Sequence, residues 1–192
     1  MVIGLTGHSG SGKTTAAKIF EGCGFLHIDC DKMVHTEIYT DTAAIEKIAK
    51  TFGAHTVCDN TIDRRALAKI IFSDKTEYNK LMALLKPYIT DALSEKIKLA
   101  DNVLVDAPML FEFDLSHLCD VTVGVVSNNA VERITARDGI SVCDAKARLA
   151  NQNLPEFYAK KCDYVIENNG TLSELTCAVT SLVNKLMKGL CN

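Results

Sequence analysis

The sequence has no run of about 18 apolar residues, so no membrane-spanning helix is expected. It also lacks a strong charge of either sign. A net charge of −3 advertises neither a nucleic-acid face nor a surface for anionic lipid. Met1-Val2-Ile3 leads straight into a glycine-rich stretch with no basic segment, so no secretory signal is expected. No repeat, low-complexity tract or Pro/Ser-rich linker interrupts the 192 residues, a length for one sizeable domain with room for a small appended one. At 47% hydrophobic and 23% charged, the chain can bury a full core without disulfide or metal staples. Cysteine is plentiful instead: Cys23, Cys30, Cys58, Cys119, Cys143, Cys162, Cys177 and Cys191. None forms Cys-x-x-Cys and none has a histidine at zinc-finger spacing. They read as reduced thiols, mostly small core fillers, in a cytoplasmic protein.

What is present alternates. Val2 to Leu5 is a buried-strand candidate, and a helix is expected from Lys13 to Phe20, stopped by Gly22 and Gly24. Phe25 to Ile28 reads as a second strand ending in Asp29-Cys-Asp31. The pattern then stays helical to Ala100, with breaks at Gly53 and Asp59-Asn60 and a long helix kinked at Pro87. Strands follow at "NVLVDAP", "DVTVGVVS" and "CDYVIENNG". Between the last two lie a helix bearing Arg133 and Arg137 and another opening with a capping box at Ser141. Thr171 to Leu186 closes the chain as a helix. The alternation predicts an α/β fold, a five-stranded parallel sheet with helices on both faces.

Gly7-His-Ser-Gly-Ser-Gly-Lys13-Thr14 fits G-x-x-x-x-G-K-[ST] behind a strand and ahead of a helix. Glycines let the backbone turn successive N–H groups inward as an anion nest, and the helix dipole adds positive potential. The pattern predicts that a nucleoside triphosphate binds at this turn, where Gly10, Ser11, Gly12, Lys13, Thr14 and Thr15 lead from the loop into the helix. Lys13 reaches the β and γ phosphates and Thr14 ligates Mg2+.

Three classes of phosphate-loop protein compete. GTPase switches need Asn-Lys-x-Asp, and the Asn-Lys pairs at Asn79 and Asn184 lack the aspartate. Motor and transporter ATPases carry larger domains and paired acids after a strand, where this chain has "VLVDAPMLFE". Small-metabolite kinases remain. In an open α/β sheet, ligands gather at the carboxyl ends of the strands. Asp31 and Asp106 fall there, beside the phosphates, as candidates for acceptor base and for holding metal-bound water. Asp29 reads equally as a helix cap. Arg133 and Arg137 share a helix face, and Arg148 and Gln152 repeat the spacing on the next helix. An arginine-bearing hairpin folding over the phosphates excludes water and neutralises the phosphoryl group in flight.

These pieces, in order, resemble the dephospho-coenzyme A kinase family from end to end: "GLTGHSGSGKTT", "HIDCDKMVH", "IDRRALAKIIFSD", "LLKPYI", "VLVDAPMLFE", "RITARDG", "ARLANQ" and "CDYVIENNG". The resemblance implies a three-layer P-loop kinase fold. Its regions would be a nucleotide core (1–39, 101–130, 160–192), a helical acceptor-binding insertion (40–100) and a helical lid (131–159). It implies Mg2+-dependent transfer of the ATP γ-phosphate to the ribose 3′-hydroxyl of dephospho-coenzyme A. In that reading Asp31 contacts the hydroxyl as base, and Lys13, Arg133 and Arg137 serve the transfer. Arg148 joins the lid, Asn168 lies near adenine, and Asp106 faces substrate and metal through water. Arg64, Lys86 and Tyr88 are the acceptor contacts. The expected partners are the acceptor alone, with no nucleic acid or membrane, in a monomer or weak homo-oligomer. A kinase for another acceptor, such as a nucleoside monophosphate, and a non-catalytic nucleotide-binding regulator remain as alternatives. The chain departs from the family pattern at His8-Ser9 (usually Gly-Ile), at Lys86 (often His) and at Cys30 (commonly Ala). His8 either reaches the γ-phosphate or acceptor or is an exposed substitution at a tolerant position.

Overall fold

The computed structural model of the protein describes residues 1–189. They form two compact units, Asp29–Leu99 and the remainder of the chain on either side of it.

The outer unit is built on strands β1 (Val2–Gly7), β2 (Leu26–Asp29), β5 (Val103–Asp106), β6 (Val121–Val126) and β7 (Tyr164–Glu167). They lie in the order β2-β5-β1-β6-β7. The registers are parallel, pairing Leu5 with Asp106, Gly7 with Val125 and Val126 with Glu167. The expected five-stranded parallel sheet is therefore present. Side chains alternate across each strand. Ile3, Leu5, Val123, Val125 and Ile166 enter one core with Ala16, Ala17 and Phe20 of α1 (Lys13–Gly22) and Leu175, Val179 and Val183 of α9 (Leu172–Gly189). Those α1 and α9 positions recur at helical spacing, so each helix presents one apolar stripe. Burial of each of these Leu, Ile, Val and Phe side chains contributes about 1.5–3 kcal/mol. On the other face the strand backbone is approached closely. A Cβ on Gly4 would meet Cys119 and Leu110, and one on Gly124 would meet Cys162 and Tyr158.

Between β6 and β7 run α6 (Ala130–Asp138), α7 (Val142–Ala150) and α8 (Pro155–Lys161). Half of the expected capping box forms: Ser141 Oγ accepts from the Asp144 N–H, while Asp144 Oδ2 accepts from the Ser141 hydroxyl rather than from the Ser141 N–H. The third helix, α8, was not anticipated; Pro155 opens it at a first-turn position where its missing N–H costs nothing.

The inner unit holds α2 (Cys30–Thr36), α3 (Thr42–Phe52), α4 (Arg64–Ile71) and α5 (Lys75–Lys96). Aspartates cap all four through backbone N–H groups: Asp29, Asp41, Asp63 and Asp74. Pro87 stands within α5. The break at Asp59-Asn60 is a hairpin between β3 (Val57–Cys58) and β4 (Thr61–Ile62). Both turn residues have positive φ, 50° and 56°, as the type I′ two-residue hairpin turn requires.

The cysteines correct the core-filler expectation. Among the described residues all seven are free thiols, but Cys23, Cys58, Cys143 and Cys177 are exposed and only Cys30 is fully buried. Half-buried Cys119 and Cys162 have their thiols pushed up to about 12 by burial first and by Asp120 and Asp163 next. They are inert at neutral pH. Cys191 lies outside the described residues.

Candidate functional site

Parallel pairing sets the carboxyl ends of β1, β5, β6 and β7 along one edge of the sheet, and the phosphate loop leaves from β1 there. Gly10 and Gly12 hold φ of +74° and +92°, the left-handed region that glycine enters without strain. Gly10 is also pressed on α6: a Cβ there would stand 2.6 Å from the Ala130 carbonyl oxygen. The hydroxyl-bearing Thr14 and Thr15 open α1 and are exposed.

Lys13 Nζ pairs with Asp106 Oδ1. Asp106 is 4% exposed and ends β5, opposite Leu5 of β1. Its second oxygen faces His27 Nε2 at 3.3 Å. His27 was missed by sequence reasoning; the available signal was an imidazole inside the otherwise apolar second strand. The predicted phosphate lysine and metal-facing carboxylate therefore meet, though they stand 93 residues apart.

Arg133 Nη1 donates to the Ser11 carbonyl at 3.3 Å, and Nη2 to Asn168 Oδ1 at 3.5 Å. Asn168 is buried and donates from Nδ2 to the same Ser11 carbonyl at 2.8 Å. Arg133 and Asn168 are thus brought to the phosphate loop together. Gly12 belongs to this packing: its Cβ would lie 2.1 Å from Asn168 Nδ2. Gly12→Ala is expected to lower the thermal midpoint by about 5 °C, because a strained left-handed alanine and a displaced Asn168 each cost on the order of 1 kcal/mol. A melt by circular dichroism checks it.

Arg137 and Arg148 gather elsewhere. Arg137 Nε and Nη2 fork onto Asp138 at 2.6 and 2.8 Å, and Arg148 Nη1 reaches the same carboxylate. The two guanidiniums hold the Asp138 carboxyl far below the usual carboxylate range, Arg137 more than Arg148. Arg133 and Arg137, four apart on α6, therefore serve different partners. Gln152 lies past the end of α7 rather than on it, and its Oε1 accepts from the Ser9 N–H at 2.7 Å.

His8 corrects the exposed reading offered for it. It is 6% exposed, so it is not a surface substitution, and both ring nitrogens are engaged within the protein. Nδ1 faces the Ser9 carbonyl at 2.9 Å, and Nε2 accepts from the Ser127 N–H at 3.1 Å.

In the inner unit, Asp31 is exposed in the first turn of α2, while capping falls to Asp29, which accepts from the Lys32 N–H at 2.9 Å. A cavity of about 590 Å³ is lined by His35, Tyr39, Arg64, Arg65 and an apolar wall including Leu67 and Phe72. His35 Nδ1 has no hydrogen-bond partner there. Burial, then the Arg64 charge, pushes the His35 imidazole down, with Asp31 opposing. Of the other predicted acceptor residues, Lys86 is half-buried, and the Tyr88 ring carries Lys47 Nζ at 5.1 Å from its centre. Neither lines the cavity with Arg64. Among the described residues, no helix is long and apolar enough to cross a membrane.

A family model for dephospho-CoA kinase matches residues 1–174. The dephospho-CoA kinase of Fusobacterium nucleatum is 37% identical over 180 residues, covering 91% of this chain and 93% of that protein. The crystal structure of TT1252 from Thermus thermophilus superposes with a TM-score of 0.80 at 30% identity, covering 97% of each chain. The dephospho-CoA kinase from Campylobacter jejuni gives a TM-score of 0.73 at 26% identity, covering 98% of each. The chain belongs to the dephospho-CoA kinase family, whose members are ATP-dependent phosphotransferases.

Proposed function

We propose that this kinase transfers the γ-phosphate of ATP to the ribose 3′-hydroxyl of dephospho-coenzyme A, releasing ADP and coenzyme A, the last step of coenzyme A synthesis. The observation that carries it is the Lys13–Asp106 pair at the phosphate loop, in a chain matched by the family over residues 1–174. On sequence composition we assign it to the cytoplasm, as a monomer or weak homo-oligomer.

Gly10 to Thr15 receive the triphosphate through backbone N–H groups, and Lys13 exchanges its carboxylate partner for phosphate oxygens. The donor chemistry around them fits Mg2+: the Thr14 hydroxyl and the Asp106 carboxylate are hard oxygens, and this ion keeps several waters of its own. When bound it supplies charge neutralisation at the phosphates. Arg133, already on the loop, stabilises the transferring group, while Arg137 and Arg148 complete the lid of residues 131–159. Asn168 holds the loop from below at Ser11 and approaches adenine from the same edge. Asp31, two residues beyond β2, takes the proton of the attacking hydroxyl.

Residues 40–100 supply most of the acceptor site. Arg64 in its cavity binds an acceptor phosphate, with Lys86 and Tyr88 as further contacts. Arg64→Ala is expected to raise the acceptor KM about tenfold with the ATP KM unchanged, the cost of one charge-assisted hydrogen bond. Steady-state kinetics with each substrate varied checks it.

The deciding experiment is ADP release with Mg·ATP across dephospho-coenzyme A, nucleoside monophosphates and shikimate. Turnover with dephospho-coenzyme A alone supports the proposal. Turnover with another acceptor overturns the acceptor assignment, and silence across the panel moves the chain to a regulatory, non-catalytic class.

A further inference from the structure

His8 occupies the second position of the phosphate loop, yet its ring is turned into the protein. The Ser127 backbone N–H can only donate, so Nε2, 3.1 Å away, carries the lone pair. The Ser9 carbonyl can only accept, so Nδ1, 2.9 Å away, carries the proton. One neutral tautomer satisfies both bonds. The ring also lies against Tyr158, with centroids 6.3 Å apart, and is closed off from solvent on that side.

Two consequences follow from the covalent chemistry of the backbone. A trans peptide is planar, with its C=O and N–H pointing in opposite directions. By holding the Ser9 carbonyl to its own ring, His8 turns the Gly10 N–H, the other end of that peptide, away from itself. That N–H is one of the donors the loop offers to phosphate. Gly10 sits at φ +74° and, as glycine, opposes a flip of this peptide very little. A flip would present a carbonyl oxygen where a phosphate oxygen binds.

The other bond reaches the root of the lid. Ser127 directly follows β6; its Oγ accepts from the Asn129 N–H at 3.1 Å, and Asn129 precedes the first residue of α6. The adjacent Ser9 N–H is held by Gln152. The loop is therefore clamped on both sides of residue 9 by segments flanking the arginine helices.

We propose that His8 is a positioning residue that sets the ATP affinity of the phosphate loop, by fixing the Ser9–Gly10 peptide with its N–H outward and tying it to Ser127. This rests on the loop binding ATP, which Lys13→Ala tests separately: if that variant binds ATP like the wild type, the reading of the loop fails rather than the role of His8.

The test compares His8→Gln with His8→Phe, measuring Mg·ATP dissociation constants by calorimetry and acceptor KM at saturating ATP. Glutamine offers one acceptor and one donor and is expected to stay within about threefold of wild type. Phenylalanine fills the ring volume and keeps the Tyr158 contact but makes neither bond. It is expected to weaken ATP about tenfold, the effect of losing a buried hydrogen bond, with the acceptor KM unchanged. If His8 were only a filler, the order would reverse. Phenylalanine binding ATP no more weakly than glutamine overturns the proposal. So does a wild-type 15N-histidine spectrum at assay pH showing residue 8 protonated on Nε2.

Discussion

Lys13→Ala is expected to reduce kcat/KM for ATP by about 10³-fold, the upper end of what removal of one charge-stabilising donor costs. The ammonium is drawn to the sheet edge by Asp106, with the lysine side chain 15% and the carboxylate 6% exposed. Much of the entropy of ordering a long flexible chain is thus lost before ATP arrives. Phosphate oxygens then offer the same cation more negative charge than one carboxylate does. Lys13→Arg is not expected to rescue, because a planar fork replaces a point charge in a space shaped by the loop backbone. Removing the lysine leaves the Asp106 carboxylate facing His27 without its ammonium, so the variant needs a thermal melt beside its kinetics. The double variant Lys13→Ala/Asp106→Asn removes the stranded charge and should melt closer to wild type while remaining equally slow. If Lys13→Ala keeps its rate within tenfold, lysine is not the phosphate ligand.

Asp31→Asn is expected to cut turnover by about 10²-fold or more while ATP binding stays nearly intact, the signature of a lost general base. The substitution is informative because the helix cap falls to Asp29, two residues before Asp31. Asp29 caps α2 through the Lys32 N–H, so replacing Asp31 leaves the helix start in place. The favourable first-turn charge it removes is worth on the order of 0.5 kcal/mol at an exposed position. Single-turnover ADP formation with dephospho-coenzyme A, alongside equilibrium ATP binding, checks it. Turnover close to wild type would reduce Asp31 to a helix-end charge and leave the acceptor hydroxyl without a base from this segment.

The local part of the protein was legible in its sequence. A glycine loop between an apolar run and a helical pattern is written in consecutive residues, because left-handed φ is a property of single positions such as Gly10 and Gly12. The parallel sheet and the aspartates at its strand ends follow from alternation and from where each run stops. Those regularities have periods of two and 3.6 residues, so a short window contains them. The helix α8 and the 57–62 hairpin escaped because seven residues and two short strands carry too little periodicity to be seen.

The choice of partners was not legible, because it is made between residues far apart in the chain. Asn168 meets Ser11 from 157 positions away, and Ser127 meets His8 from 119. Spacing alone made Arg133 and Arg137 one pair, but packing sent Arg133 to the phosphate loop and Arg137 to Asp138. The sequence left His8 either reaching for phosphate or acceptor or exposed on a tolerant loop; burial made it a ring with both nitrogens spoken for. The sequence by itself determined the family, the phosphate loop and the strand ends where chemistry gathers, since these are patterns of neighbours along the chain. Only the tertiary structure decided which donor faces which acceptor, since a buried polar group must find its partner wherever folding brings one within hydrogen-bond reach.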